Sequence, residues 1–163
     1  MVEGEGGGRA SLGAADGQPL ADFRFQTTIT VRFCEIDGNR HTNEVSYFVY
    51  MEHVRMLYLE HLGLFDELLD VSGEASLMAV NFACQFHAMS HFLQRLRAAA
   101  RVVRLGRSSV DFEYAIAGGD DALVATGRQT LVYVDHTRNH SRPLPVEARR
   151  RIADFENLMI ETA

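Results

Sequence analysis

What this sequence has little of narrows its function. No apolar run approaches the ~20 residues of a membrane-spanning helix, and no basic-then-apolar leader opens the chain, so a soluble, cytoplasmic protein is expected. Basic charge is short. Sixteen Lys plus Arg against 22 Asp plus Glu give a formal net charge of −6 and a pI near 5.6, which argues against nucleic acid, because phosphates call for a basic face. Cysteine is scarce as well. Cys34 and Cys84 both sit in apolar, strand-like runs, the pattern of buried reduced thiols and not of a disulfide framework. His87 and His91 stand four apart, which makes a metal pair only on a helix; their surroundings read as strand, so no metal is expected. There is no internal repeat.

What is present describes one ordinary domain: 163 residues, 47% hydrophobic and 23% charged, enough to bury a core without metals or disulfides. Residues 1–22 hold six of the 13 glycines and few large apolar groups, so a flexible glycine-rich tail is expected, with the folded domain over 23–163. Ile29, Val31 and Phe33 alternate with Thr28, Thr30 and Arg32, a half-buried strand. Asn43 then caps a helix that is apolar over most of its circumference from Val45 to Leu62, and Gly63 stops it. A helix that greasy must be wrapped, most simply by a sheet. After a second short helix near Leu64–Leu69, strands are expected at about 77–88, 94–104, 108–117 and 122–135. Their short connections favour antiparallel pairing. A last amphipathic helix over about 145–158 carries Arg149, Arg150 and Arg151 on a solvated face. The fold class is therefore α+β, an antiparallel sheet of about five strands curled around one long central helix.

The chemistry concentrates between Val31 and Arg55. An acidic residue, Asp37, is expected at a strand end, followed by a tight Gly38-Asn39 turn, His41-Thr42-Asn43, and the start of the long helix. Helix starts expose unpaired N–H groups and the positive end of a macrodipole. A carboxylate beside such a start supplies what splitting a thioester or ester requires: a base or nucleophile on one side and oxyanion donors on the other. Glu52 and Arg55, at i, i+3 spacing, read as an ion pair.

These residues resemble the hotdog-fold acyl-CoA thioesterases of the 4-hydroxybenzoyl-CoA thioesterase type. The resemblance rests on Val31-Arg32-Phe33, Glu35-Ile36-Asp37, His41-Thr42-Asn43-Glu44, Tyr47 and Glu52-His53-Val54-Arg55, then on Arg104-Leu105-Gly106-Arg107-Ser108-Ser109 and Arg142-Pro143-Leu144-Pro145, so it covers about residues 25–158. It implies hydrolysis of an acyl-CoA or acyl-carrier-protein thioester to the free acid, by a homodimer or homotetramer with the site at a subunit interface and without metal or redox cofactor. Carried over, Asp37 is the nucleophile or general base, the backbone N–H of Glu44 polarises the carbonyl, and His41 is a further catalytic candidate. Candidate substrate-binding residues are Asn43, Tyr47, Arg55, His87, Arg104, Arg107 and Ser108; Arg104, Arg107 and Arg142 suit the phosphates of coenzyme A because guanidinium pairs phosphate bidentately, and Arg55 suits a carboxylate or carbonyl. The chain departs from the family pattern in three places. Glu44 stands where relatives carry Asn or His, Gly38-Asn39-Arg40 displaces the usual turn glycine, and the segment 85–94 lacks the family's proline, glycine and aspartate. Two other classes fit the same fold: a hydratase or dehydratase, and a module that binds acyl thioesters without cleaving them.

Overall fold

The computed structural model describes residues 19–69 and 74–159. Of the expected tail, residues 1–18 lie outside that span. Residues 19–22 form a turn closed by the Phe23 N–H on the Leu20 carbonyl at 3.0 Å, and Leu20 is buried against Ala99, Ala115 and Ala117. Three small side chains leave a seat for one leucine on the outer face of the sheet.

Strand β1 (Phe25–Thr30) alternates half-buried and exposed residues. It stops short of the predicted Phe33. Phe33–Glu35 is one 3₁₀ turn, which leaves Phe33 78% exposed. The Glu35 carboxylate accepts the Arg32 N–H at 2.7 Å and the Arg32 guanidinium at 2.6 and 2.9 Å, a local bonding pattern that competes with a strand ladder. Cys34 is exposed with this turn, against the expected burial, and Cys84 is half-buried.

Helix α1 (Glu44–His61) begins as predicted, with Asn43 Oδ1 accepting the Val45 N–H at 2.9 Å. Gly63, at φ 65°, ends it in the left-handed conformation that glycine adopts freely. Helix α2 (Phe65–Leu69) follows, then β2 (Ala75–Phe86), β3 (Arg95–Leu105), β4 (Ser109–Ala117), β5 (Leu123–Asp135), a two-residue β6 (His140–Ser141) and α3 (Val146–Glu156). Every pairing is antiparallel. The order is β1-β3-β4-β5-β2, with β6 beside β5.

The inner face of the sheet curls onto α1 through Ala98, Val102, Phe112, Tyr114 and Leu131, which join Tyr47, Met51, Val54 and Tyr58 of the helix in one buried cluster. Gly127 marks the closest approach, since an added Cβ there would lie 2.4 Å from the Met51 sulfur. The three arginines of α3 only partly form the expected solvated face. Arg150 pairs with Glu147 and Asp154 there, but Arg149 donates to the Gly106 carbonyl at 2.8 Å and Arg151 to the Gly63 carbonyl at 3.2 Å. Two of them therefore tie α3 to neighbouring loops that sequence spacing cannot bring near.

Candidate active site

Asp37 starts a tight turn instead of ending a strand. Its N–H donates to the His41 carbonyl at 3.0 Å, and its own carbonyl accepts the Arg40 N–H at 3.0 Å. Asp37 Oδ1 accepts the Asn39 N–H at 2.7 Å, the local turn chemistry of aspartate. Its Oδ2 is 3.7 Å from His41 Nδ1, and the two side chains are 18% and 28% exposed. The carboxylate is thus held on one oxygen and open on the other. That leaves an oxygen for a substrate or a water.

The amides that begin α1 are unequally used. The Val45 N–H goes to Asn43 Oδ1 and the Ser46 N–H to the Asn43 carbonyl at 3.0 Å, while the Asn43 N–H donates to the Glu35 carbonyl at 2.8 Å. The Glu44 N–H has no acceptor among the described residues. A free amide at a helix start, backed by the dipole, is a donor aimed at developing negative charge. The Glu44 side chain is exposed beside it.

Two buried polar groups hold this loop, and the motif reading assigned neither. Glu35, 7% exposed, takes the Tyr50 hydroxyl at 2.6 Å besides its bonds from Arg32. Burial pushes its carboxyl up, but the bonds from Arg32 and Tyr50 prevail and hold it below the usual carboxylate value. Burial and the same carboxylate push the Tyr50 hydroxyl up. The second group is a hydroxyl cluster: Ser90 Oγ lies 2.6 Å from Thr42 Oγ1 and 2.8 Å from the Tyr47 hydroxyl, and the Thr42 N–H donates to the Ser90 carbonyl at 2.8 Å. Ser90 is fully buried. These bonds dock the segment before β3 against the start of α1. Glu35 was visible as part of an acidic motif; Ser90 gave no signal, because its partner is 48 residues away.

The other candidates divide by position. Tyr47 is buried, its hydroxyl on Ser90 and its ring 5.4 Å from that of Phe86. His87 follows Phe86 and has its Nε2 2.9 Å from Thr126 Oγ1. Arg55 is a buried residue of α1 itself. It makes the expected pair with Glu52 at 3.3 Å, and its Nε has no partner among the described residues. Arg104, Arg107 and Ser108 lie at the far end of the molecule. β1 meets β3 at Thr30 opposite Arg95, so the β3–β4 hairpin is roughly 30 Å along the strand from the Asp37 loop. Arg104 pairs there with Asp111 at 2.6 Å, the Arg107 carbonyl accepts the Leu144 N–H, and the Ser108 carbonyl accepts the Tyr133 N–H. One chain therefore does not bring the two candidate groups together. A cleft of about 400 Å³, lined by Asn81, Val103, Asp111, Glu113, Arg128 and Thr130, opens on the outer face of the sheet and contains none of the candidates.

Comparison with known proteins agrees with this architecture. The chain is 26% identical over 112 residues, 69% of its length and 74% of the other's, to the uncharacterized protein YsmA of Bacillus subtilis. Its structure matches the 1,4-dihydroxy-2-naphthoyl-CoA thioesterase Slr0204 of Synechocystis with a TM-score of 0.75 at 18% identity, covering 80% of this chain and 96% of that one. It also matches a Thermus thermophilus thioesterase complexed with coenzyme A and Zn, with a TM-score of 0.72 at 24% identity, covering 85% and 99%. No helix among the described residues is long and apolar enough to cross a membrane. Residues 31–154 match the thioesterase-like superfamily, which spans every element from the Asp37 turn to α3, and the chain belongs to that family, on the hotdog fold.

Proposed function

We propose that this protein hydrolyses the thioester of an acyl-coenzyme A, or of an acyl carrier protein, to a free carboxylic acid and a thiol. The observation that carries the reading is the free Glu44 N–H on the loop that also presents the open oxygen of Asp37. The Glu44 amide binds the thioester oxygen. Asp37 Oδ2 takes a proton from water as the water oxygen attacks the carbonyl carbon; the C–S bond then breaks, and the proton passes to the departing thiolate. The Asn39 N–H on Oδ1 orients the carboxylate, and His41 Nδ1 stands 3.7 Å from Oδ2. Direct attack by Asp37, followed by hydrolysis of an anhydride, uses the same atoms.

A homodimer completes the site in this reading. β2 is a 12-residue edge strand, and such edges ask for a partner. Met78, Val80 and Phe86 on it, with Val45 and Val49 on α1, are 46%, 62%, 50%, 61% and 47% exposed, more apolar surface than scattered singles. Pairing two copies along this edge also offers a way for the distant Arg104–Ser108 hairpin of one protomer to serve the Asp37 loop of the other.

The test is turnover of short, medium, long and aromatic acyl-CoAs and of acyl carrier proteins, followed by thiol trapping. The substitution Asp37→Asn keeps a side-chain oxygen able to accept the Asn39 N–H, so the turn survives it. Turnover of this variant is expected to fall at least ~100-fold. Activity that survives the substitution overturns the assignment of Asp37. Absence of turnover in the wild type, with acyl thioesters raising its melting temperature, identifies a binding module instead.

A further inference from the structure

Five non-glycine residues among those described have positive φ: Arg40 at 67°, Leu93 at 64°, Asp121 at 63°, Asn139 at 51° and Asn157 at 57°. Asn and Asp tolerate this conformation; a long side chain does not. The two that do not fit, Arg40 and Leu93, lie in the two segments that the Thr42–Ser90 bonds join, one on each side of the candidate site. Backbone outliers of this kind persist where the surroundings over-determine them, and they gather at ligand sites.

Arg40 is pinned from both sides. Its N–H donates to the Asp37 carbonyl at 3.0 Å, and its carbonyl lies 3.3 Å from His91 Nδ1. Its side chain, by contrast, is exposed and makes no hydrogen bond or ion pair among the described residues, although Glu44 opens the helix nearby. The turn calls for glycine, and the chain has a guanidinium there. In a protein of net charge −6 this cation is not part of a generally basic surface. Solvation alone gives no reason to keep it in a position that disfavours it.

We propose that Arg40 binds an anionic group of the substrate, and so sets substrate preference. The proposal rests on the thioester reading of the Asp37 loop. The anion has two sources, a carboxylate on the acyl chain or a phosphate on the carrier. The carboxylate is the nearer: Arg40 is rooted three residues from Asp37 in a closed turn, within reach of the first carbons of an acyl group, whereas the phosphates of coenzyme A lie a whole pantetheine arm away.

The experiment is calorimetric titration of the full chain with uncleavable thioethers: S-carboxyalkyl and S-alkyl groups, each on coenzyme A and on N-acetylcysteamine, against wild type, Arg40→Gly and Arg40→Lys. Arg40→Gly should melt no lower than wild type, since glycine takes this φ without strain. It should bind the carboxyalkyl thioethers about tenfold more weakly on either carrier, the loss of one charge-assisted contact. Arg40→Lys should recover most of that affinity, and binding of the neutral S-alkyl-N-acetylcysteamine should not change. A loss that follows coenzyme A whatever its alkyl group supports the proposal and assigns the anion to phosphate. Equal affinities of Arg40→Gly and wild type for every anionic thioether overturn it, as does an equal loss on the neutral one or no binding of any anionic thioether. Cleavage is never read, so an inactive Asp37 leaves this result intact and fails only the hydrolysis reading.

Discussion

The two ends of this molecule carry equally suggestive sequence and are built differently. At the start of α1, backbone and buried hydroxyl contacts fix the loop while leaving one amide and one carboxylate oxygen open. At the β3–β4 hairpin Arg104 already holds Asp111, and around it Arg149 holds the Gly106 carbonyl and Arg142 lies over the Tyr133 ring at 5.8 Å, while the Arg107 side chain makes no hydrogen bond or ion pair among the described residues. The lesson is one of reserve capacity. A charged residue in a motif can be spent on the fold, and only the structure tells which donors and acceptors remain for a ligand.

The contrast can be broken by substitution. Ser90→Ala removes the partner of the buried Tyr47 hydroxyl at the α1 end, while Thr42 Oγ1 keeps its 3.1 Å bond to the Ser90 carbonyl, and the unsatisfied hydroxyl is expected to cost about 1–3 kcal/mol, read as a lower urea midpoint. A variant that unfolds at the wild-type midpoint would show that Tyr47 needs no such anchor.

Glu35 sharpens the same comparison through pH. Its folded carboxyl is held below the ordinary value of 4.5, so the folded state binds its proton less readily than the unfolded state. The stability it contributes is full above that ordinary value and is lost as pH falls through the folded one. Glu35→Gln should therefore be less stable near neutrality and lose part of the wild-type decline below about pH 4.5, as measured by denaturant midpoints across pH. An unchanged acid profile would remove Glu35 as the anchor of the turn.

The smallest effect belongs to the far end. Arg104, 57% exposed, pairs with Asp111 near solvent, so Arg104→Ala should shift stability by less than about 1 kcal/mol. A loss as large as that of Ser90→Ala would erase the distinction between the ends.

Much of the fold was legible in the sequence because it is written in local pattern. The strand expected at 108–117, the Asn43 cap and the Gly63 stop each rest on signals a few residues long, and each appears in the structure near its predicted place. Local pattern misled where a short-range bond outweighed it. Glu35 folded residues 33–35 into a 3₁₀ turn and exposed Phe33, which alternation had placed inside, and Cys34, which its apolar run had placed inside. The motif likewise named Asp37 but not Ser90, whose role exists only across the gap between two segments.

By itself, then, the sequence determined most element types, the one long helix among many strands and the carboxylate beside a helix start, because periodicity, capping and turn chemistry are local. The tertiary structure decided that β2 pairs with β5 while β1 pairs with β3, that the hairpin arginines lie a strand length from Asp37, and which helix amide stays free. Those outcomes depend on contacts between residues far apart in the chain, where burial and hydrogen-bond geometry, and not neighbouring residues, select among the arrangements that local pattern allows.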